Sequence, residues 1–291
     1  MLTIKAFAKV NLVLEVLGRR TDGYHEIASI MQTLSLNDVL TLEPADRIGL
    51  KFSPPGLADH ANIVLKAAKR LADVTGYGGG VVISLEKHIP IGAGLGGGSS
   101  DAAAVLCGLN KLWQLGLTRE QLAEIGAGLG SDVPFFVYGG ACMVEGRGER
   151  VTPLADLEKM CFVLLRPDLP VRPGKTAALY RLVKPGHYTS GELSAGVREL
   201  FESGGKGQPV PFYNVFEKVA PDAFPGLGKH MQQFLRAGAP EVHLAGSGPV
   251  LFTMLHNEKQ ACEIHANLVA GGLESHLATS VKREEIGCRE R

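Results

Sequence analysis

PIGAGLGGGSSDAAA, residues 90–104, joins a glycine-rich loop to the start of a helix. Proline interrupts whatever precedes it. Ser99, Ser100 and Asp101 then open a stretch in which Ala102, Val105, Leu106, Leu109 and Trp113 recur at helical spacing. Glycine lets backbone approach a ligand closely and adopt left-handed conformations. A helix starting directly behind such a loop offers free N–H groups and a positive dipole end, which suit a phosphate. The plain alternative is a flexible linker with a good cap, but a linker needs no fusion to an amphipathic helix. The segment Pro90, Ile91, Gly92, Ala93, Gly94, Leu95, Gly96, Gly97, Gly98, Ser99 and Ser100 is therefore expected to bind phosphate.

Two familiar phosphate loops do not fit. Gly92 and Gly97 have the glycine spacing of a Walker A loop, but Gly98 stands where its lysine belongs. Gly92-x-Gly94-x-x-Gly97 matches the dinucleotide fingerprint formally. That fingerprint needs a following strand, whereas the next pattern, from Thr118, is another helix.

A second GAGLG lies at 126–130, behind that helix, and leads into Ser131-Asp132-Val133-Pro134. Glycine is favoured where a helix ends. An acid placed at a bend and followed by proline and two phenylalanines is held rather than solvated. The second copy is expected to turn the chain sharply and present Asp132.

Outward from these loops, residues 2–17 alternate. Leu2, Ile4, Ala6, Ala8, Val10, Leu12, Leu14 and Val16 share one face, so a strand, or two, is expected, with Lys9 and Asn11 pointing the same way. Residues 35–44 and 81–85 read as strands, and 62–75 as a helix capped by Asn62. Residues 118–129 form a helix opened by a Thr118–Gln121 capping box. The pattern resets near 152–157, which places a boundary between 1–155 and 156–291. Beyond it come a strand (160–165), helices to about 237, strands at 241–245 and 249–255, a helix (258–270) and a strand (275–281). The strands at 241–245 and 249–255 are joined by Gly246-Ser247-Gly248.

Bulk composition narrows the function. The chain has 291 residues, enough for about two domains. Lys+Arg and Asp+Glu are both 30, so no basic excess points to nucleic acid or an anionic membrane. No apolar run approaches the ~18 residues of a membrane span, and the periodic first residues do not read as a signal peptide. Cys107, Cys142, Cys161, Cys262 and Cys288 are scattered and odd in number, which reads as reduced thiols in the cytoplasm rather than a disulfide frame or zinc site. Glycine reaches 37 of 291 residues against a usual ~7%, clustered at 76–98, 126–148, 204–207 and 246–248.

P-x-G-A-G-L-G-G-G-S-S-D, the strand lysine of AKVNL (8–12), GSDVP (130–134) and AGSGP (245–249) together resemble the GHMP kinases. That family is named for galactokinase, homoserine kinase, mevalonate kinase and phosphomevalonate kinase. Most members carry a shorter G-L-G-S-S-A loop. The extended form here, with DGYHEI (22–27), is similar to the branch acting on 4-diphosphocytidyl-2-C-methyl-D-erythritol. The resemblance runs from residue 5 to about 255. It implies an α+β, two-domain GHMP kinase fold. The first half is like ribosomal protein S5 domain 2 and the second is ferredoxin-like.

It also implies a reaction with ATP and Mg²⁺. The γ-phosphate would pass to the 2-hydroxyl of 4-diphosphocytidyl-2-C-methyl-D-erythritol, in the non-mevalonate route to isoprenoids. By the resemblance Asp132 accepts the hydroxyl proton, and Lys9 holds that aspartate ionised and polarises the hydroxyl. Asn11, Tyr24 and His25 match positions near the cytidine end, Gly246, Ser247 and Gly248 match the loop that completes the site, and Tyr180 is the candidate for the second face of the cytosine. The magnesium ligands stay open, with Ser99 or Ser100 as candidates, and the oligomeric state is not legible. One departure is visible. Asn214-Val215-Phe216-Glu217 has Val215 where the family commonly has aspartate, so no catalytic role is expected there. The competing readings are a homoserine- or mevalonate-type kinase, a non-catalytic ATP-binding sensor of the same fold, and a glycine-rich scaffold.

Overall fold

The alternating N-terminal stretch forms one long strand, β1 (Leu2–Arg19), which turns back through residues 21–24 into β2 (His25–Ala45). The computed structural model describes residues 1–53, 58–156, 158–204 and 210–286. β3 (Gly49–Ser53), α1 (Ala58–Thr75) and β4 (Gly80–Glu86) follow, so α1 begins ahead of Asn62, the expected cap. Next come α2 (Gly97–Leu112), α3 (Arg119–Ala127), α4 (Val133–Tyr138), β5 (Ala141–Gly146) and β6 (Arg150–Pro153). The first sheet has the order β3-β4-β2-β1, and β5 pairs with β2 and β6. β2 is long enough to serve two neighbours, pairing with β5 through Ile27–Gln32 and with β4 through Val39–Ala45.

The apolar residues of β1 change face at an irregularity in its pairing with β2. The pairing register shifts between Phe7 and Ala8. Phe7 pairs with Asn37 and Ala8 with Leu34, so the two unpaired residues, Ser35 and Leu36, lie on β2. Ahead of the shift Ile4 and Ala6 pack with the helices; behind it Ala8, Val10 and Leu12 pack with the second sheet. The single apolar face expected over 2–17 is therefore two half-faces. Lys9 and Asn11 turn toward the helix side, where the glycine loop enters α2.

The rest of the chain is β7 (Cys161–Arg166), α5 (Lys175–Leu182), α6 (Glu192–Glu202), β8 (Tyr213–Asn214), α7 (Ala220–Ala223), α8 (Leu227–Arg236), β9 (His243–Leu244), β10 (Leu251–Leu255), α9 (Glu258–Ala270) and β11 (Glu274–Thr279). The second sheet is antiparallel in the order β11-β7-β10-β9, the ferredoxin-like arrangement. β8 leaves it to pair in parallel with β1 at Val13 and Leu14. Phe162, Leu164 and Phe252 of the second sheet meet Val10 and Ile30 of the first in one shared core. The α+β fold is thus two sheets with a common hydrophobic seam, and β1 runs along it.

Cys142, Cys161 and Cys262 are free. Cys288 lies outside the described residues. Most of the 204–207 glycine cluster also lies outside them. Among the described residues no helix is long and apolar enough to cross a membrane.

Candidate active site

The 90–98 loop crosses the middle of β1 and is tied to it by backbone: Lys9 N–H donates to Leu95 O at 3.0 Å. Helix α2 begins at Gly97, two positions ahead of Ser99, with Gly96 as its cap at φ 74°. Gly94, at φ 87°, lies against the 245–249 loop so closely that a Cβ there would sit 1.9 Å from Ala245 O. Val250 N–H donates to Ala93 O at 3.3 Å, completing the junction. The first glycine copy therefore works by left-handed backbone and close approach.

The second copy works differently. The chain turns through residues 128–132 between α3 and α4, but Gly126, Gly128 and Gly130 are absent from the left-handed region, so the turn is made with ordinary backbone. Gly126 instead makes room for Val133, whose Cγ1 would lie 2.8 Å from an added Cβ. Asp132 caps α4 without spending its carboxylate on the helix, because that side chain makes no capping hydrogen bond.

These segments surround a cleft of about 1460 Å³. Ordinary single-ligand pockets occupy ~300–1,000 Å³, so the volume suits two substrates side by side. At its floor Lys9, 4% exposed, donates from Nζ to Asn11 Oδ1 at 2.7 Å and faces Asp132 Oδ2 at 3.7 Å. Asn11 is locked in turn: its Nδ2 donates to Ser29 Oγ at 2.8 Å, and Ser29 Oγ donates to Val13 O at 2.6 Å.

Most of the expected residues line this cleft: Lys9, Asn11, Tyr24, His25, Pro90, Ile91, Gly92, Ala93, Gly94, Gly96, Gly97, Gly98, Ser99, Asp132, Tyr180, Gly246 and Ser247. Leu95, Ser100 and Gly248 do not. Leu95 is an anchor in the shared core, and Ser100, 2% exposed, is turned away inside α2 because the helix starts earlier than expected. The carbonyl of Gly248 is taken by Lys175 Nζ.

At the far end of β1, His25 stacks on Tyr180 with centroids 5.0 Å apart and planes at 16°, and meets Tyr188 edge-on at 6.4 Å. Two rings already in stacking contact leave no slot for a third between them. Burial, helped by Arg19, lowers the His25 pKa from its ordinary value, which favours neutral imidazole. Tyr24 is half exposed, under the Arg147 guanidinium at 4.8 Å.

Sequence reasoning missed four residues. Lys175 and Thr176 open α5; Lys175 Nζ donates to Gly92 O at 2.8 Å, and Thr176 Oγ1 bonds Ser247 Oγ at 2.8 Å. Asn214 Nδ2 donates to Leu244 O at 2.9 Å and Gly246 O at 2.8 Å, while Glu217 Oε1 accepts from Leu244 N–H at 2.9 Å. The segment set aside because of Val215 thus clamps the 245–249 loop.

Under the first loop lies a buried charge cluster. Lys87 Nζ bonds Asp38 and, at 2.7 Å, Asp101; Asp38 Oδ1 also accepts from His88 N–H at 2.6 Å and Ile89 N–H at 2.8 Å. Burial is the main cause that pushes the Asp101 carboxyl up to about 8. The folded chain therefore holds a proton there that the unfolded chain has released, and this group's contribution to stability falls as pH rises from about 4 to about 8. Asp101→Asn is expected to flatten that part of a stability-versus-pH curve. Lys87→Met, which strands Asp38, is expected to cost roughly 3–5 kcal/mol in denaturant melts. A steeper pH dependence in Asp101→Asn contradicts the assignment.

The arrangement has known counterparts. Residues 62–140 match the family described as GHMP kinases N terminal domain. A crystal structure of homoserine kinase from Cytophaga hutchinsonii covers 96% of this chain and 95% of its own at TM-score 0.68; at 17% identity it speaks to fold alone. The crystal structure of a 4-(cytidine 5'-diphospho)-2C-methyl-D-erythritol kinase is nearer, at TM-score 0.81 and 35% identity over 96% of this chain and 99% of that one. The 4-diphosphocytidyl-2-C-methyl-D-erythritol kinase of Dehalococcoides mccartyi is 48% identical over 281 residues, 97% of this chain and 99% of that protein. The chain belongs to the GHMP kinases and, within them, to the 4-diphosphocytidyl-2-C-methyl-D-erythritol kinase family.

Proposed function

We propose that this protein transfers the γ-phosphoryl group of ATP to the 2-hydroxyl of 4-diphosphocytidyl-2-C-methyl-D-erythritol, releasing ADP and the 2-phosphate. The observation that carries the reading is the Lys9–Asp132 pair, 3.7 Å apart in one cleft that also holds the glycine loop and His25. The acceptor is a tertiary alcohol, crowded and weakly acidic. Asp132 receives its proton as the O–P bond forms. Lys9, fixed by Asn11, holds the alcohol oxygen in line and balances the charge that develops. The loose transition state of phosphoryl transfer is served more by positioning and charge than by a strong base. Backbone N–H groups of the 90–98 loop and the first turn of α2 receive the ATP phosphates.

Magnesium would supply positive charge to the ATP phosphates. Among the described residues no group of three or more His, Cys, Asp or Glu is gathered for a metal. That fits Mg²⁺, which takes one or two protein oxygens and leaves the rest to phosphates and water. Ser99 lines the cleft and is the candidate; Ser100 is buried away from it. We place the protein in the cytoplasm and its domain boundary between residues 155 and 156, after the last strand of the first sheet apart from β8.

His25 reads the edge of the cytosine, with Tyr180 and Tyr188 supplying ring surface once the His25–Tyr180 stack has opened. Each neutral hydrogen bond lost is worth about 0.5–1.5 kcal/mol, so His25→Ala should lower the kcat/KM ratio of cytidyl over uridyl substrate by roughly 2–10-fold per bond. An unchanged ratio removes His25 from base reading. The function itself is tested by ADP release from ATP with the cytidyl compound, homoserine, mevalonate and galactose. Turnover with the cytidyl compound alone supports it; preference for another alcohol overturns it.

A further inference from the structure

Lys175 is the first residue of α5 and sits where a lysine is disfavoured three times over. Cations are unwelcome at a helix N-terminus. It is largely desolvated, and Lys9 lies close enough to repel it. Among the described residues no carboxylate forms an ion pair with it. Among the described residues its hydrogen-bond partners are two carbonyls, Gly92 O of the first glycine loop and Gly248 O of the third, and its Nζ also lies over the Phe224 ring at 5.9 Å. An ammonium has three N–H donors. Two are used in joining those loops, and Lys175 lines the cleft beside Lys9. A cation assembled at this cost, with a donor free and its counter-charge missing, is matched by an anion arriving from outside the chain.

We propose that Lys175 is a second cationic group of the reaction centre, holding the first and third glycine loops together and giving its remaining N–H to the phosphoryl group that ATP brings beside Lys9. The inference rests on the kinase reading of the site. Desolvation first, and Lys9 second, lower the pKa of Lys175 to about 7. The other titratable groups nearby are Lys9 from β1, Asp132 ahead of α4 and Tyr180 further along α5; of these only Lys9 acts on Lys175. In the empty cleft the side chain is thus about half neutral at neutral pH, and phosphate beside it draws a proton on. Arginine at the same position stays charged throughout.

Calorimetry of ATP–Mg²⁺ binding just above neutral pH, in two buffers of different ionisation enthalpy, reads that proton. The wild-type protein should take up part of a proton per ATP, and Lys175→Arg and Lys175→Met none. Lys175→Met should also lose about 10²–10³-fold in kcat, as for one transition-state donor, with Lys175→Arg recovering most of it. A group that only braced the fold would move the melting temperature and leave proton uptake unchanged. Equal uptake in all three proteins, or full kcat in Lys175→Met, overturns the proposal. The binding measurement needs no acceptor. A wild-type protein that takes up the proton yet leaves the cytidyl compound untouched defeats the proposed function and keeps the role of Lys175 in binding ATP.

Discussion

Asp132→Ala should lower kcat by about 10²–10⁴-fold, the usual contribution of a positioned acid–base group, with ATP affinity nearly unchanged. The carboxylate is not a structural cap: it makes no hydrogen bond to α4, and its side chain is 33% exposed to the cleft. Its removal should therefore leave the fold intact. The nearest cation, Lys9, keeps its bond to Asn11, so the floor of the site stays in place. Steady-state kinetics with calorimetry of ATP binding separates the outcomes. A variant with near-wild-type kcat contradicts the role given to Asp132. A variant that loses ATP binding to the same extent as kcat makes Asp132 a nucleotide ligand instead.

Gly94→Ala should reduce kcat/KM for ATP by about 10²-fold, the scale on which a shift of ~1 Å at a reacting centre acts. Left-handed backbone costs an L side chain roughly 1–2 kcal/mol, which the fold can absorb. The contact is the larger effect. A Cβ would meet Ala245 O at 1.9 Å and Gly248 N at 2.7 Å, both backbone, so the two loops must part. Gly246 packs over Lys9 Nζ and Asn11 Oδ1, so parting the loops uncovers the reacting pair. Gly76→Ala is the control, because Gly76 has φ 68° and nothing within 4 Å of an added Cβ. The control should keep full activity. Equal losses in both variants would mean that backbone strain, and not loop contact, is responsible.

What was legible in the sequence was local. The Thr118–Gln121 capping box forms as read, and α9 spans Glu258–Ala270 as its periodicity indicated. Both depend on residues within one turn of each other. The ferredoxin-like second half was implied by the family resemblance, and its last elements, α8 to β11, follow in order with short connections. The irregularity at Phe7 was not legible, since it exists only in the pairing of β1 with β2. The change of face that brings Lys9 toward the glycine loop falls at that irregularity. Two identical GAGLG strings proved to do different work for the same kind of reason. Gly94 and Gly96 are left-handed because the 245–249 loop and α2 require it, and the second copy simply yields space to Val133. Lys175 carries no local signal, and Asn214 only that of a motif set aside for its Val215. Their partners, Gly92 and Gly246, are brought to them by the docking of one sheet on the other.

Phosphorus NMR of the reaction mixture examines the proposed chemistry without any substitution. With ATP, Mg²⁺ and the cytidyl substrate, one new phosphomonoester on the tertiary C2 oxygen should appear for each ADP, with the cytidyl diphosphate intact. Free inorganic phosphate as the sole new signal, or a phosphate on any other oxygen of the acceptor, would contradict a site in which Lys9 and Asp132 hold the 2-hydroxyl in line.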